Sequence, residues 1–241
     1  MTLSGKTILI TGAARRIGQH LALTVAQAGA NVVVHHANSP GEAQETAEAI
    51  RQMGRRAWVI QADFQNPNEV EGLIERVTGL SPIFAIVHNA AIFEPGGVTD
   101  TSLQDWQRHF NINLTAPFIL SRDFARMLQP GAHGRMVTML DWRALRPVGD
   151  HFSYTISKAA LAAMTRSLAA DLAPNITVNG LALGAILPPS DGGDTNWVEK
   201  QVPAGRWAEL TEVGEALLFL LDGPQYITGE IIHLDGGRHL L

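Results

Sequence analysis

Short apolar runs alternate with longer stretches whose apolar positions recur every three or four residues, from one end of the chain to the other. The runs at 7–11, 31–35, 57–61, 83–88, 135–140, 177–181 and 231–234 are apolar on nearly all positions, as strands covered on both faces are. Windows at 16–29, 41–53, 67–79, 103–128, 153–172 and 212–221 carry helical spacing. Strand–helix alternation of this kind predicts an α/β fold with right-handed crossovers: one doubly wound domain over 1–241, with a seven-stranded, mainly parallel sheet and helices on both faces. Two stretches stand out from the pattern. Residues 187–201 form the longest irregular segment, expected to be a lid over a ligand. The helix window from Ala159 is apolar around much of its circumference, so a second copy of the chain is expected to cover one side, with 103–128 completing a four-helix interface.

Composition narrows the class. With 46% hydrophobic and 17% charged residues, 241 residues can bury a sizeable core. A net charge of −5 gives no electrostatic reason to expect nucleic acid or an anionic membrane as partner. There is no cysteine, which excludes thiol catalysis and disulfides. No signal-peptide pattern opens the chain and no apolar run reaches the roughly 20 residues of a membrane span, so a cytoplasmic location is expected. The nine histidines are scattered without metal-site spacing, and no metal is expected.

The first strand runs into Thr11-Gly12-Ala-Ala-Arg15-Arg16-Ile17-Gly18. Gly12 permits a tight turn, Gly18 lets the next helix sit close to the sheet, and the helix N-terminus offers N–H groups to a pyrophosphate. The second strand ends in His35-His36-Ala-Asn38-Ser39, without the carboxylate that commonly binds the ribose 2′-hydroxyl of NAD. Arg15 and Arg16 stand in the neighbouring loop, so a 2′-phosphate would meet donors, which favours NADPH. His35 and His36 read equally well as strand-end polar residues. Asp63 closes the third strand and is placed to bond an adenine amino group.

Further along, Tyr154 and Lys158 stand four apart in a helical window, on one helix face. With only two Tyr and three Lys in the chain the pairing is uncommon. An ammonium beside the phenol is expected to lower the tyrosine pKa and make it a proton donor near neutral pH.

Thr11–Gly18, Asn89-Ala90-Ala91, Asn113, Tyr154-x3-Lys158 and Asp235-Gly236-Gly237 together resemble the short-chain dehydrogenase/reductase pattern in order and spacing over essentially the whole chain. The resemblance implies a Rossmann fold, nicotinamide-dependent hydride transfer and a homotetramer or homodimer. It implies Tyr154 as proton donor, Lys158 as its partner and ribose ligand, Asn113 as holder of a relay water, and Ile17, Asn89, Ala90 and Gly184 beside the cofactor. One position departs from most of the family: Asp141 stands where a serine usually ends the fifth strand, thirteen residues before the tyrosine. An ionised aspartate only accepts hydrogen bonds, so it suits a ring N–H better than a developing ketone oxyanion. In this the chain is similar to the pteridine reductase branch. The likeness implies a dihydropterin or dihydrofolate substrate, stacking on Phe93, and contact of Arg16 with both phosphates and pterin; Trp197, in the irregular stretch after the sixth strand, is expected as a wall of the lid. Other departures are His88 for the first Asn of the usual Asn-Asn-Ala-Gly, Ala91 for its Gly, and Leu183-Gly184 for Pro-Gly. The rival expectations are a general carbonyl reductase, acting on a 3-oxoacyl thioester or another ketone, and a catalytically silent dinucleotide-binding regulator.

Overall fold

The computed structural model describes residues 3–188 and 198–241. Its strands are β1 (Thr7–Ile10), β2 (Asn31–His36), β3 (Ala57–Gln61), β4 (Ala85–His88), β5 (Gly134–Asp141), β6 (Ile176–Leu183) and β7 (Ile231–Leu234). They form one seven-stranded sheet in the order β3-β2-β1-β4-β5-β6-β7. Every pair in it is parallel. The helices are α1 (Arg16–Gln27), α2 (Pro40–Gln52), α3 (Pro67–Val70), α4 (Leu73–Leu80), α5 (Leu103–Phe110), α6 (Ala116–Met127), α7 (Phe152–Leu172), α8 (Val198–Gln201) and α9 (Leu210–Asp222).

Alternation along the strands explains the two helical layers. Ile8, Ile10, Val32 and Val34 point to one face and pack with Leu21, Val25, Ile50, Val213 and Leu217 of α1, α2 and α9. Leu9, Val33 and Ile86 point to the other and meet Leu73, Ile74, Val77, Leu120 and Phe124 of α4 and α6, with Ala169 of α7. Both faces are therefore buried, which is why the strands lack a polar face. The chain order reverses between β1 and β4, and the carboxyl ends of these two strands open the crevice where such sheets bind ligands.

Two predicted helices are interrupted. The 67–79 window divides at Gly72, whose φ of 71° breaks the helical hydrogen-bond run and starts α4 afresh. The 103–128 window is bridged at Asn111–Thr115 by a π turn, which bulges the helix and turns Asn113 fully inward.

Candidate active site

At the crevice lies a cavity of about 540 Å³ whose lining includes Gly12, Arg15, Arg16, Ile17, Gly18, His36, Asn38, Ser39, Asp63, Asn89, Ala90 and Phe93. Eleven of the predicted cofactor residues thus converge from the carboxyl ends of four strands, β1 to β4. Gly12 has a φ of 63° and a Cβ there would sit 3.0 Å from Ala90 Cα. A Cβ on Gly18 would fall 2.0 Å from the Gly12 carbonyl oxygen. Gly18 has no room for a side chain, and at Gly12 a tight contact adds to a left-handed conformation that favours glycine. Arg16 is the one non-glycine among the described residues with a positive φ, 54°, so the loop holds a strained conformation at the cavity edge.

The loop is held from behind. Asn89 Nδ2 donates to the carbonyls of Thr11 (2.8 Å) and Gly12 (3.1 Å), while the amides of Asn89 and Ala90 donate to Thr11 Oγ1 at 2.9 and 3.0 Å. Asn89 is therefore a brace for the loop. The Gly12 amide donates to His35 Nδ1 at 3.0 Å, so the ring proton sits on Nε2 and is donated to the Ala62 carbonyl at 3.0 Å. Burial lowers the His35 pKa to about 4 and keeps it neutral, and its ring stacks on Phe64. His35 is structural; His36 beside it is buried with an unpartnered Nδ1.

The donors left open fit a phosphorylated dinucleotide. No side chain caps α1 at Arg15 or α2 at Ser39, so the first-turn N–H groups of both lack side-chain acceptors. The orphaned His36 Nδ1, Asn38, the buried Ser39 and Arg15, 4.0 Å from Glu42, surround the place a 2′-phosphate would take. Asp63 is already partly engaged, its Oδ1 accepting from the Gln65 amide at 2.9 Å. Arg16 reaches Pro188 O at 3.4 Å, at the beginning of the expected lid. Most of that lid, including Trp197, lies outside the described residues. Gly184 is packed against β7: its amide donates to Leu234 O, and a Cβ there would lie 2.6 Å from Asp235 Cα.

At the other end of the cavity stands Phe93, 51% exposed. Its ring lies flat on His151 (3.9 Å, 7°), edge-on to Tyr154 (4.6 Å, 80°) and under the Arg143 guanidinium at 5.4 Å. Arg143 is itself tied to Asp150 at 2.9 Å. Sequence reasoning missed His151 and Arg143; the signal available was their position between β5 and α7, the segment that carries the candidate chemistry.

Asp141 ends β5 and Tyr154 opens α7, and the Tyr154 hydroxyl donates to Asp141 Oδ2 at 3.0 Å. Asp141 Oδ1 accepts the Arg143 amide at 2.8 Å. Lys158 Nζ, buried, donates to Met139 O at 2.7 Å and lies 5.8 Å from the Tyr154 ring centre. The expected lowering of the tyrosine pKa is overturned: burial and then the Asp141 charge hold Tyr154 well above its ordinary value. Burial also pushes Lys158 down to about 8, against the pull of Asp141, and pushes Asp141 up. The phenol answers to its burial and to the carboxylate thirteen residues upstream, and not to the lysine four residues along the helix.

Asn113, wholly buried, donates through Nδ2 to Ile92 O (3.1 Å) and Ser157 Oγ (3.0 Å) and accepts the Ile92 amide (3.0 Å). Both side-chain donors are spent on fastening the Phe93 segment to α7, which leaves only main-chain groups of Asn113 for a relay water. His88, in the place of an asparagine, bonds Ser121 Oγ at 3.0 Å and is kept neutral by burial, its pKa lowered to about 3.

A crevice at the sheet's reversal point, a side-chain-free glycine turn and a tyrosine–lysine pair on one helix define a nicotinamide-type oxidoreductase site. The family model described as enoyl-(acyl carrier protein) reductase matches residues 12–239. The chain belongs to the short-chain dehydrogenase/reductase family. It is similar to the crystal structure of FolM alternative dihydrofolate reductase 1 from Brucella canis complexed with NADP, at 36% identity, a TM-score of 0.92 and coverage of 100% of this chain and 97% of that one. A chloroplastic NADPH-dependent aldehyde reductase-like protein of Arabidopsis thaliana is 31% identical over 98% of this chain and 95% of its own length. A 3-oxoacyl-[acyl-carrier-protein] reductase of Synechocystis is 30% identical over 98% and 97%.

Proposed function

We propose that the protein is an NADPH-dependent reductase of a pteridine, a dihydropterin or dihydrofolate. The observation that carries this reading is Asp141: a carboxylate, in place of a hydroxyl donor, that accepts from Tyr154, whose ring the half-exposed Phe93 meets edge-on. The reduced nicotinamide supplies a hydride when bound in the crevice. The glycine loop and the N-terminal turns of α1 and α2 bind and orient it, with Arg15, His36, Asn38 and Ser39 around the 2′-phosphate. Phe93 offers a flat ring for a flat electron-poor heterocycle to stack on. A carboxylate has about four lone-pair sites, so Asp141 can accept a ring N–H or amino group beside the two bonds it already holds. Hydride adds to the carbon of a ring C=N bond, and the Tyr154 hydroxyl delivers the proton to the nitrogen. Lys158 and the Asn113 amide hold the helix face and the Phe93 segment in register. Likeness to the Brucella enzyme supports the substrate class. Self-association across α6 and α7 belongs to the same reading, and Phe118 on α6 is 47% exposed.

The rival reading, a general carbonyl reductase, is favoured by the names of the Arabidopsis and Synechocystis relatives. The two separate on NADPH oxidation with dihydropterins and dihydrofolate against simple ketones and 3-oxoacyl thioesters. The expected outcome is turnover of the pteridines that falls at least about tenfold in Asp141→Ala, the loss of roughly 1.5–3 kcal/mol expected of a hydrogen bond to a charged group. Turnover of ketones alone, unchanged in Asp141→Ala, would hand the assignment to the rival.

A further inference from the structure

At the far edge of the sheet from the glycine loop, β7 runs out into His233-Leu-Asp235-Gly-Gly-Arg-His239. Two glycines in the left-handed region, Gly236 at φ 62° and Gly237 at φ 86°, fold the tail back so that His239 comes to lie on His233. The two imidazoles stack at 3.9 Å. The Asp235 carboxylate, 4% exposed, lies beneath them, with Oδ2 at 2.9 Å from His239 Nδ1 and 3.8 Å from His233 Nδ1. One potential ligand atom from each of the three residues lies within 4.8 Å of the others.

We propose that His233, Asp235 and His239 bind a divalent transition-metal ion of the zinc type and that this ion fastens the C-terminal tail to the end of β7. The donor set carries the choice of ion: two imidazoles and one carboxylate suit zinc and its neighbours and are poor ligands for magnesium or calcium. The spacing fits. Zinc bonds of about 2.0–2.2 Å meeting near the tetrahedral angle place ligand atoms about 3.4 Å apart. The two separations from Asp235 Oδ2, 2.9 and 3.8 Å, bracket that value.

A second feature points to a ligand independently. His233 Nδ1 is buried and has no hydrogen-bond partner, and it faces a carboxylate oxygen too far away to bond. In the tautomer with its proton on Nε2, His233 Nδ1 is an acceptor facing a carboxylate oxygen, and a cation between the two satisfies both. The carboxylate is already oriented for that role, because the amides of Gly237 (3.0 Å) and His239 (2.9 Å) donate to it. Beside the cluster lies a cavity of about 280 Å³, walled by Val202, Ala204 and Arg206 among others, which leaves room for a water as fourth ligand. The Arg206 charge does not oppose a cation there, since both its terminal nitrogens are taken up by Glu212 at 2.8 Å. On binding, His239 Nδ1 gives up its proton to solvent and becomes the third ligand.

The consequence reaches the catalytic end of β5. Arg238, between the two glycines and His239, lies over the Trp142 ring at 4.2 Å, and Trp142 follows Asp141. Fixing the tail therefore fixes a cation over the residue next to the catalytic carboxylate, a positioning role.

The test is calorimetric titration of the full-length, tag-free protein with Zn²⁺, repeated with Mg²⁺ and with two single variants, His239→Gln and His233→Phe. The expected result is one Zn²⁺ per chain, no measurable Mg²⁺ binding, and at least a tenfold weaker Zn²⁺ affinity in each variant. Thermal unfolding keeps the outcome readable if a variant is merely less stable. Zn²⁺ should raise the melting temperature of the natural protein, and the rise should shrink or vanish in each variant whatever its starting temperature. Zn²⁺ affinity and melting shift retained in both variants, or no stoichiometric Zn²⁺ binding by the natural protein, would overturn the proposal.

Discussion

The two halves of the crevice are built in different ways. Around the glycine loop every contact has a backbone group on one side: carbonyls of Thr11 and Gly12 accept from the Asn89 side chain, amides of Asn89 and Ala90 donate to Thr11 Oγ1, and Gly18 leaves no room for a Cβ. Around Phe93 the contacts are made by side chains: Tyr154 to Asp141, Phe93 to His151, Arg143 to Asp150. A backbone-built half tolerates little change and serves any dinucleotide enzyme of this fold. A side-chain-built half can be rewritten one residue at a time, and Asp141 in place of a serine is such a rewriting. The cofactor half is thus set by the fold, while the half that carries Tyr154 and Asp141 can be adapted to a substrate.

If that division holds, substitutions in the two halves should separate cleanly between turnover and cofactor affinity. The largest effect belongs to Tyr154→Phe. Removing a positioned proton donor should lower kcat by roughly 10²–10⁴ while leaving NADPH affinity, measured by fluorescence titration, within about twofold. The same change leaves Asp141 Oδ2 without its donor, and since that hydrogen bond lowers the Asp141 pKa, the carboxyl should titrate at higher pH in the variant. An equal loss of cofactor affinity would mean that the halves are not separable.

Gly18→Ala is the mirror experiment and the next in size. Its Cβ would lie 2.0 Å from Gly12 O and 2.6 Å from Asn89 Nδ2, so the loop must shift. Overpacking of this kind costs about 1–3 kcal/mol, or roughly 5–150-fold. The loss should appear in NADPH affinity. A variant that binds NADPH as tightly as the natural protein would show that the loop is more pliable than its bracing suggests.

The same contrast explains what could be read from the sequence. The parallel sheet was legible because covered apolar strands leave a local signature, and the residues that line the crevice could be named from glycine at Gly12 and Gly18 and a missing carboxylate after β2. Asp141 was legible as an exception against a known spacing. What escaped was pairing across distance. The Tyr154 pKa was read from Lys158, four residues away on the same helix, when the atom that bonds its hydroxyl comes from the end of β5. The side-chain bonds of Asn113 to Ile92 and Ser157 could not be foreseen, because the π turn that directs its amide has no local mark in the sequence. The tail cluster was passed over because His233 and His239 are six apart and meet only when the turn at Gly236 and Gly237 folds them together.

Phe93→Leu is the smallest of the three changes and the most discriminating about substrate. Leucine keeps the apolar volume and gives up the flat face, so the loss should be confined to whatever stacks there. An aromatic pair is worth about 0.5–1.5 kcal/mol beyond its buried area, so kcat/KM for a pteridine should fall roughly 2–10-fold. Turnover of an aliphatic ketone, which gains nothing from a flat ring, should not fall with it. NADPH affinity should stay within about twofold, because Phe93 stands at the opposite end of the cavity from the glycine loop, on the segment that Asn113 fastens at Ile92. Leucine also frees His151 from its stacking partner and Arg143 from the ring 5.4 Å away, and neither group touches Asp141 Oδ2. A pteridine-specific loss therefore measures stacking; a loss shared equally by pteridines and ketones would show that Phe93 is a prop for Tyr154, whose ring it meets edge-on, and that the substrate face must be sought elsewhere.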